Sequence, residues 1–201
     1  MMTAPPELSA FVLAGGKSSR MGTNKALLAL NGQTLLQRTL NLAKTLTSDV
    51  RIVGQHELFG QLAPVVEDVY KNRGPLGGIH AALTVTSSDL NLILAVDLPF
   101  LQQKFLQYLV SEAQASGAMI TVPQAAGGYQ PLCAIYRRDF GRFAEAALAN
   151  GKNKIDALFS GNFIRVINED ELQRVGFPLR MFDNLNSRED WERASQEIAA
   201  T

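Results

Sequence analysis

One cysteine, two histidines and one tryptophan in 201 residues leave little room for several kinds of chemistry. The single cysteine, Cys133, excludes an internal disulfide, and with only His56 and His80 beside it a Cys/His zinc site has too few ligands. Cys133 lies in the apolar run Leu132-Cys133-Ala134-Ile135-Tyr136, the setting of a buried structural thiol. Neither sign of charge is in excess: 19 Lys and Arg against 19 Asp and Glu give a formal net charge of zero. Broad binding to nucleic acid is thereby excluded, because it rests on neutralising many phosphates, whereas a local basic pocket is not. Long hydrophobic runs are missing too; the longest are strand-sized, well short of a membrane span. The opening Met1-Met2-Thr3-Ala4-Pro5-Pro6-Glu7 has no basic region leading into an apolar stretch. The expectation is a soluble, cytoplasmic protein with no membrane partner.

What is present is an alternation of short apolar runs with segments of helical spacing. Strands are expected at 11–14, 50–53, 64–66, 92–96, 119–122, 132–136, 163–167 and 180–182, and helices at 34–43, 75–86, 102–115, 139–149 and 186–199. Leu92-Ile93-Leu94-Ala95-Val96 is almost continuously apolar, as a parallel strand covered on both faces should be. Strands alternating with helices imply an α/β fold, a Rossmann-like, mostly parallel central sheet flanked by helices. There is no internal repeat, low-complexity segment or linker, and 46% hydrophobic residues suffice for a substantial core. Residues 1–8, with Pro5-Pro6, read as a flexible lead, and residues 9–201 as one domain.

The most distinctive segment is Leu13-Ala14-Gly15-Gly16-Lys17-Ser18-Ser19-Arg20-Met21-Gly22-Thr23-Asn24-Lys25, which follows the first strand. Glycines let main-chain N–H groups approach an anion or a flat base, and Lys17, Arg20 and Lys25 supply positive charge. It is not a P-loop: with Gly16-Lys17-Ser18 as the end of that motif, its first glycine would fall on Phe11. Nor is it a dinucleotide fingerprint, since Lys17 and Ser18 stand where the second glycine would be.

In α/β sheets, ligands sit outside the carboxyl ends of the strands. That rule places three loops on one rim: 15–25, 67–78 and 97–101. The second contains Glu67-Asp68 and then Gly74-Pro75-Leu76-Gly77-Gly78, which lets a helix start close to a ligand; on residue type alone, Glu67 and Asp68 could equally be solvated loop charges. The third is Asp97-Leu98-Pro99-Phe100-Leu101, where Asp97 ends a buried strand. A carboxylate held there suits a hard divalent ion that bridges phosphate oxygens, and such an ion needs only one or two protein carboxylates. The competing role for Asp97 is to cap the helix near Gln102. His80 and Trp191 read as packing residues, and Asn186-Ser187-Arg188-Glu189 has capping-box spacing with Asn186 as N-cap.

Together these loops resemble the small nucleotidyltransferases, and most closely the molybdenum cofactor guanylyltransferase family. The resemblance rests on Leu13 to Gly22 followed by Lys25, on Glu67-Asp68 before Gly74-Pro75-Leu76-Gly77-Gly78, on Asp97-Leu98-Pro99-Phe100, and on Asn184-Leu185-Asn186 before the last helix. Asn24 stands where the family often has Asp. The resemblance implies transfer of GMP from GTP to molybdenum-molybdopterin, releasing pyrophosphate, with no Ser, Cys or His nucleophile because the acceptor brings its own phosphate oxygen. It implies Mg²⁺, or Mn²⁺, on Asp97; phosphate binding and catalysis by Arg20 and Lys25; nucleotide contacts from Leu13, Ala14, Gly15, Gly16 and Asp68; and contacts on the pterin side from Asn184 and Asn186. The implied partners are GTP, molybdenum-molybdopterin, molybdenum-insertion proteins and molybdoenzyme chaperones, acting with a monomer. The alternatives are a cytidylyltransferase of the same cofactor, another small nucleotidyltransferase with a phosphorylated acceptor, and a non-catalytic nucleotide-binding module. Gly15-Gly16, in place of Ala-Gly, favours guanine over cytosine, and Asp97 argues against the non-catalytic module.

Overall fold

The computed structural model describes residues 8–15 and 24–199. The strands are β1 (Leu8–Leu13), β2 (Ala29–Leu30), β3 (Gln33–Thr34), β4 (Val50–Val53), β5 (Val65–Val66), β6 (Leu90–Ala95), β7 (Ile120–Ala125), β8 (Gly128–Tyr129), β9 (Cys133–Arg137) and β10 (Ile164–Ile167). The helices are α1 (Leu35–Lys44), α2 (His56–Phe59), α3 (Pro75–Val85), α4 (Gln103–Ser116), α5 (Gly141–Ala149), α6 (Glu169–Val175) and α7 (Arg188–Ala199). The main sheet has the order β10-β7-β9-β6-β1-β4-β5, with β8 paired to β7, while β2 and β3 form a separate small hairpin.

Pairing is parallel from β6 through β1 and β4 to β5, and again between β7 and β10. Within the main path only β9 is reversed, antiparallel to both β6 and β7. The reversal starts at the β7–β8 hairpin, where Ala126 (φ 52°) and Gly127 (φ 73°) take the left-handed conformations that such a turn needs. The sheet is therefore mostly parallel and lies between two helical layers. One apolar core gathers Val12, Ile52 and Leu92 with Leu36, Leu40, Phe105 and Leu109, from α1 and α4. The other gathers Phe11, Val53 and Ile93 with Ile79, Leu83, Ala144 and Leu148, from α3 and α5. Alternation along β1 and β6 sends successive side chains into opposite cores, which is why β6 is buried at every residue.

Local chemistry fixes the helix starts. Thr34 and Gln37 form a reciprocal capping box for α1. Pro75 begins α3 after Gly74, whose φ of 66° only a glycine adopts cheaply. Gly78 lies so close to β1 and β4 that a Cβ there would meet Leu13 Cδ2 at 3.2 Å. Two expectations need correction. Residues 180–182 are not a strand: Leu179–Phe182 is a 3-10 turn, with Met181 and Phe182 both buried. Two adjacent buried side chains fit a turn, since a strand would send them to opposite faces. β1 also begins earlier than expected, at Leu8, pairing with Leu90 inside the supposed lead. Among the described residues no helix is long and apolar enough to cross a membrane.

Candidate active site

β1, β4, β5 and β6 all end on one rim, and three segments of the chain converge above β1 and β6. The first is the 3-10 turn Lys25–Leu27, capped by Asn24, whose Oδ1 accepts from Ala26 N at 3.1 Å. An aspartate could make the same cap, so Asn24 preserves the local geometry that sets Lys25. The second is the turn after β6, which presents Asp97. The third is the extended strap Asp183–Ser187 leading into α7.

These segments are joined by direct bonds. Lys25 Nζ donates to Asp97 Oδ2 at 2.9 Å and to Asn186 Oδ1 at 3.4 Å. Leu185 N donates to the Asp97 carbonyl at 3.0 Å. Asp97 is thus held through its main chain by the strap and through its carboxylate by Lys25. Their side chains are only 18% (Lys25) and 25% (Asp97) exposed, so water screens the pair less than it would a surface pair. Along the strap Asn184 is exposed, Leu185 buried and Asn186 exposed. Leu185 plugs the core while the two amides stay on the surface. Asp97 does not cap α4; that helix starts after Gln102 with no side-chain cap.

Asn186 does not cap α7 either. Ser187 Oγ accepts from Asp190 N at 3.1 Å, and Asp190 Oδ2 accepts from Ser187 N at 2.9 Å. The capping box is therefore Ser187 with Asp190, one residue later than its expected place, and the Asn186 side chain is left for Lys25. Trp191 Nε1 donates to Ala29 O at 3.0 Å, tying α7 to the β2–β3 hairpin.

Asp68 sits at the other end of the rim, after β5. Three strand spacings separate β6 from β5, roughly 14 Å. Its Oδ1 is buried with no hydrogen-bond partner among the described residues. Burial holds its carboxyl above the usual carboxylate range. Its Oδ2 lies near the start of α3, 3.8 Å from where a Cβ on Gly77 would stand. Glu67 is structural here: its Oε1 accepts from His56 N at 3.1 Å and ties α2 to this loop. Close by, His80 is buried in α3 with its ring edge on Tyr70, the centroids 5.2 Å apart.

Between the two ends lies the close of β1. Ala14 N donates to Val53 O at 3.0 Å, and Ala14 is buried while Gly15 is exposed. The Leu13 side chain packs under α3, so Leu13 serves the rim through its backbone. Gly16 and Arg20, expected in the site, lie outside the described residues, as does Lys17. Sequence reasoning missed Leu185, Asp190 and the Leu185–Asp97 backbone bond. The capping-box spacing shifted by one residue was a readable sign of Asp190.

Among the described residues, the oxygen donors bonded to Lys25 are a carboxylate and an amide. Such a set suits a hard divalent cation that takes its remaining ligands from phosphate and water. No cluster of three or more His, Cys, Asp or Glu that could hold a metal by itself occurs among the described residues.

Among the described residues, a glycine-edged strand end, a rim lysine and a strand-end aspartate come together, an arrangement that suits a nucleotidyltransferase. The chain belongs to the family of the MobA-like NTP transferase domain, whose model matches residues 10–165. It is 33% identical over 196 residues to the molybdenum cofactor guanylyltransferase of Desulfosudis oleivorans, covering 96% of each chain. The enzyme of the same name from Syntrophotalea carbinolica is 31% identical over 187 residues, covering 92% of this chain and 89% of the relative. Among solved structures, molybdopterin-guanine dinucleotide biosynthesis protein A from Archaeoglobus fulgidus superposes with a TM-score of 0.84 at 25% identity, covering 96% of this chain and all of the other.

Proposed function

We propose that this enzyme transfers GMP from GTP to molybdenum-molybdopterin, forming the guanine dinucleotide cofactor and pyrophosphate. The observation that carries the reading is the division of the rim. Lys25, Asp97 and Asn186 meet at one end, and at the other stands Asp68, whose buried Oδ1 has no partner among the described residues. A nucleotide laid along the rim brings its phosphates to Lys25 and its guanine edge, rich in N–H donors, towards Asp68. Between them it passes over the backbone of Leu13, Ala14 and Gly15, with Gly16 contributing to the same cradle.

In the reaction an oxygen of the acceptor phosphate forms a bond to the α-phosphorus of GTP. The bond from that phosphorus to the α–β bridging oxygen breaks, and pyrophosphate leaves with the electron pair. No side chain forms a covalent intermediate. Catalysis comes from alignment and from neutralising charge on the phosphates. Lys25 carries out the second task when its ammonium turns from Asp97 to phosphate oxygens, and Arg20 joins it there. Asp97 would hold Mg²⁺, or Mn²⁺ in its place, and the ion would supply further neutralisation of phosphate charge. Asn184 and Asn186 face the acceptor. The protein acts as a monomer in the cytoplasm and passes its product to molybdoenzyme chaperones, having received its acceptor from molybdenum-insertion proteins.

The test is pyrophosphate release with GTP, CTP and UTP, each with and without molybdenum-molybdopterin. Release that needs both GTP and the acceptor supports the reading. Preference for CTP would reassign the enzyme as a cytidylyltransferase, and release independent of the acceptor would refute the assignment.

A further inference from the structure

Asp190 belongs to α7, outside the three rim loops, yet one of its oxygens organises the strap. Asp190 Oδ2 accepts from Asn186 N at 3.0 Å and from Ser187 N at 2.9 Å. Two main-chain N–H groups on one carboxylate oxygen fix the peptide planes on both sides of residue 186. A box formed by Ser187 and Asp190 caps the helix with two bonds: Ser187 Oγ to Asp190 N, and Asp190 Oδ2 to Ser187 N. The bond to Asn186 N is additional and adds nothing to α7, because Asn186 precedes the cap. What it does fix is the backbone of the residue whose side chain meets Lys25 Nζ. On the other side, Leu185 is plugged into the core and bonded to the Asp97 carbonyl, so Asn186 is held from both neighbours.

We infer that Asp190 is a positioning residue for the reaction: its carboxylate presents Asn186 to the Lys25–Asp97 pair, and its effect on turnover passes through Asn186. The inference rests on the reading of Asn186 as an acceptor-side residue. It predicts that losing Asp190 impairs use of the acceptor and leaves binding of GTP alone unchanged, since that is carried by the rim from Lys25 to Asp68.

The experiment is a double-mutant cycle on the full chain, read as kcat and KM for molybdenum-molybdopterin, with GTP binding by calorimetry and Tm for each variant. N186A and D190A are each expected to lose about tenfold in kcat/KM for the acceptor, and the double variant no more than either alone. D190N, whose amide oxygen can still accept both N–H groups, should recover to within about threefold of wild type. S187A removes the cap hydroxyl and spares the bond to Asn186. It should lower Tm by a few degrees and leave the acceptor constants unchanged. The inference is overturned if D190A costs the same in the N186A background as in wild type, if D190A is kinetically silent, or if S187A reproduces its kinetic loss. N186A without effect beside a damaging D190A would overturn it too. Absence of guanylyl transfer by the wild-type chain would instead overturn the reading on which it rests, and the inference with it.

Discussion

The two ends of the rim are opposites in how they treat a carboxylate. Asp97 is neutralised by Lys25 at 2.9 Å and pinned through its main chain by Leu185. Asp68 has a buried oxygen with no partner among the described residues, and burial raises its pKa. A paired carboxylate is already stable and gives up its partner only to something of greater charge. An unpaired one is unstable until a donor arrives. The first state suits an exchange of Lys25 for a cation as phosphates enter; the second suits capture of a neutral hydrogen-bonding edge. On the proposed reading, a single row of strand ends divides a nucleotide between charge recognition and hydrogen-bond recognition.

The largest effect expected from breaking this contrast is at Asp97. D97A should lower kcat by ~10²–10³, the usual cost of losing one transition-state charge contact, with Tm measured beside it to separate folding from catalysis. Activity within a few-fold of wild type would remove Asp97 from the site. Next comes K25M. It should raise the KM for GTP by about tenfold, as loss of a charged hydrogen bond does, and slow pyrophosphate release. Because it frees the Asp97 carboxylate, it should also tighten binding of Mn²⁺ alone, followed by electron paramagnetic resonance. Weaker Mn²⁺ binding would show that Lys25 does not compete with the cation.

At the other end, D68N should weaken GTP binding by several-fold to about tenfold and reduce the preference over CTP, since an amide offers one acceptor where the acid offers two. Unchanged discrimination between GTP and CTP would place the base elsewhere. The smallest expected effect is on apo stability. Asp68 has a folded-state pKa above its unfolded value, so the folded protein holds this proton more tightly. Its contribution is fully present below the ordinary aspartate pKa of 3.8 and is lost as pH rises through the raised folded value. At neutral pH D68N should therefore be slightly more stable than wild type without nucleotide, and at pH 3 the gain should vanish. A gain that persists at pH 3 would have another cause.

Much of this was legible in the sequence. β6 announced itself as a continuous apolar run with Asp97 at its end, and the glycine-rich segment after β1 resembles the nucleotidyltransferase loop, though most of it lies outside the described residues. The direction of β9 was not legible, because the run Leu132 to Tyr136 looks alike whichever way it points. Its sign lies upstream, in the left-handed turn at Ala126-Gly127. The strap was misread by one residue because Asn186 and Ser187 are both good caps, each followed by an acid three positions on. The tie is broken by burial of Leu185 and its bond to Asp97, which local pattern cannot show. Residues 180–182 have the apolar content of a strand, but both Met181 and Phe182 turn inwards. That Asp68 Oδ1 is buried with no partner among the described residues is a fact of packing that composition does not report.

The contact between Lys25 and Asn186 joins residues 161 positions apart. During synthesis, the rim carrying Asp68, Asp97 and the close of β1 leaves the ribosome long before the strap exists. Until residue 186 has emerged, Asp97 lacks its main-chain tether and Lys25 one of its two partners. A chain interrupted between α6 and α7 can hold every rim loop and still lack a finished centre. Among the described residues, the piece that joins Lys25 to Asn186 and tethers Asp97 is therefore the last of the rim to be put in place.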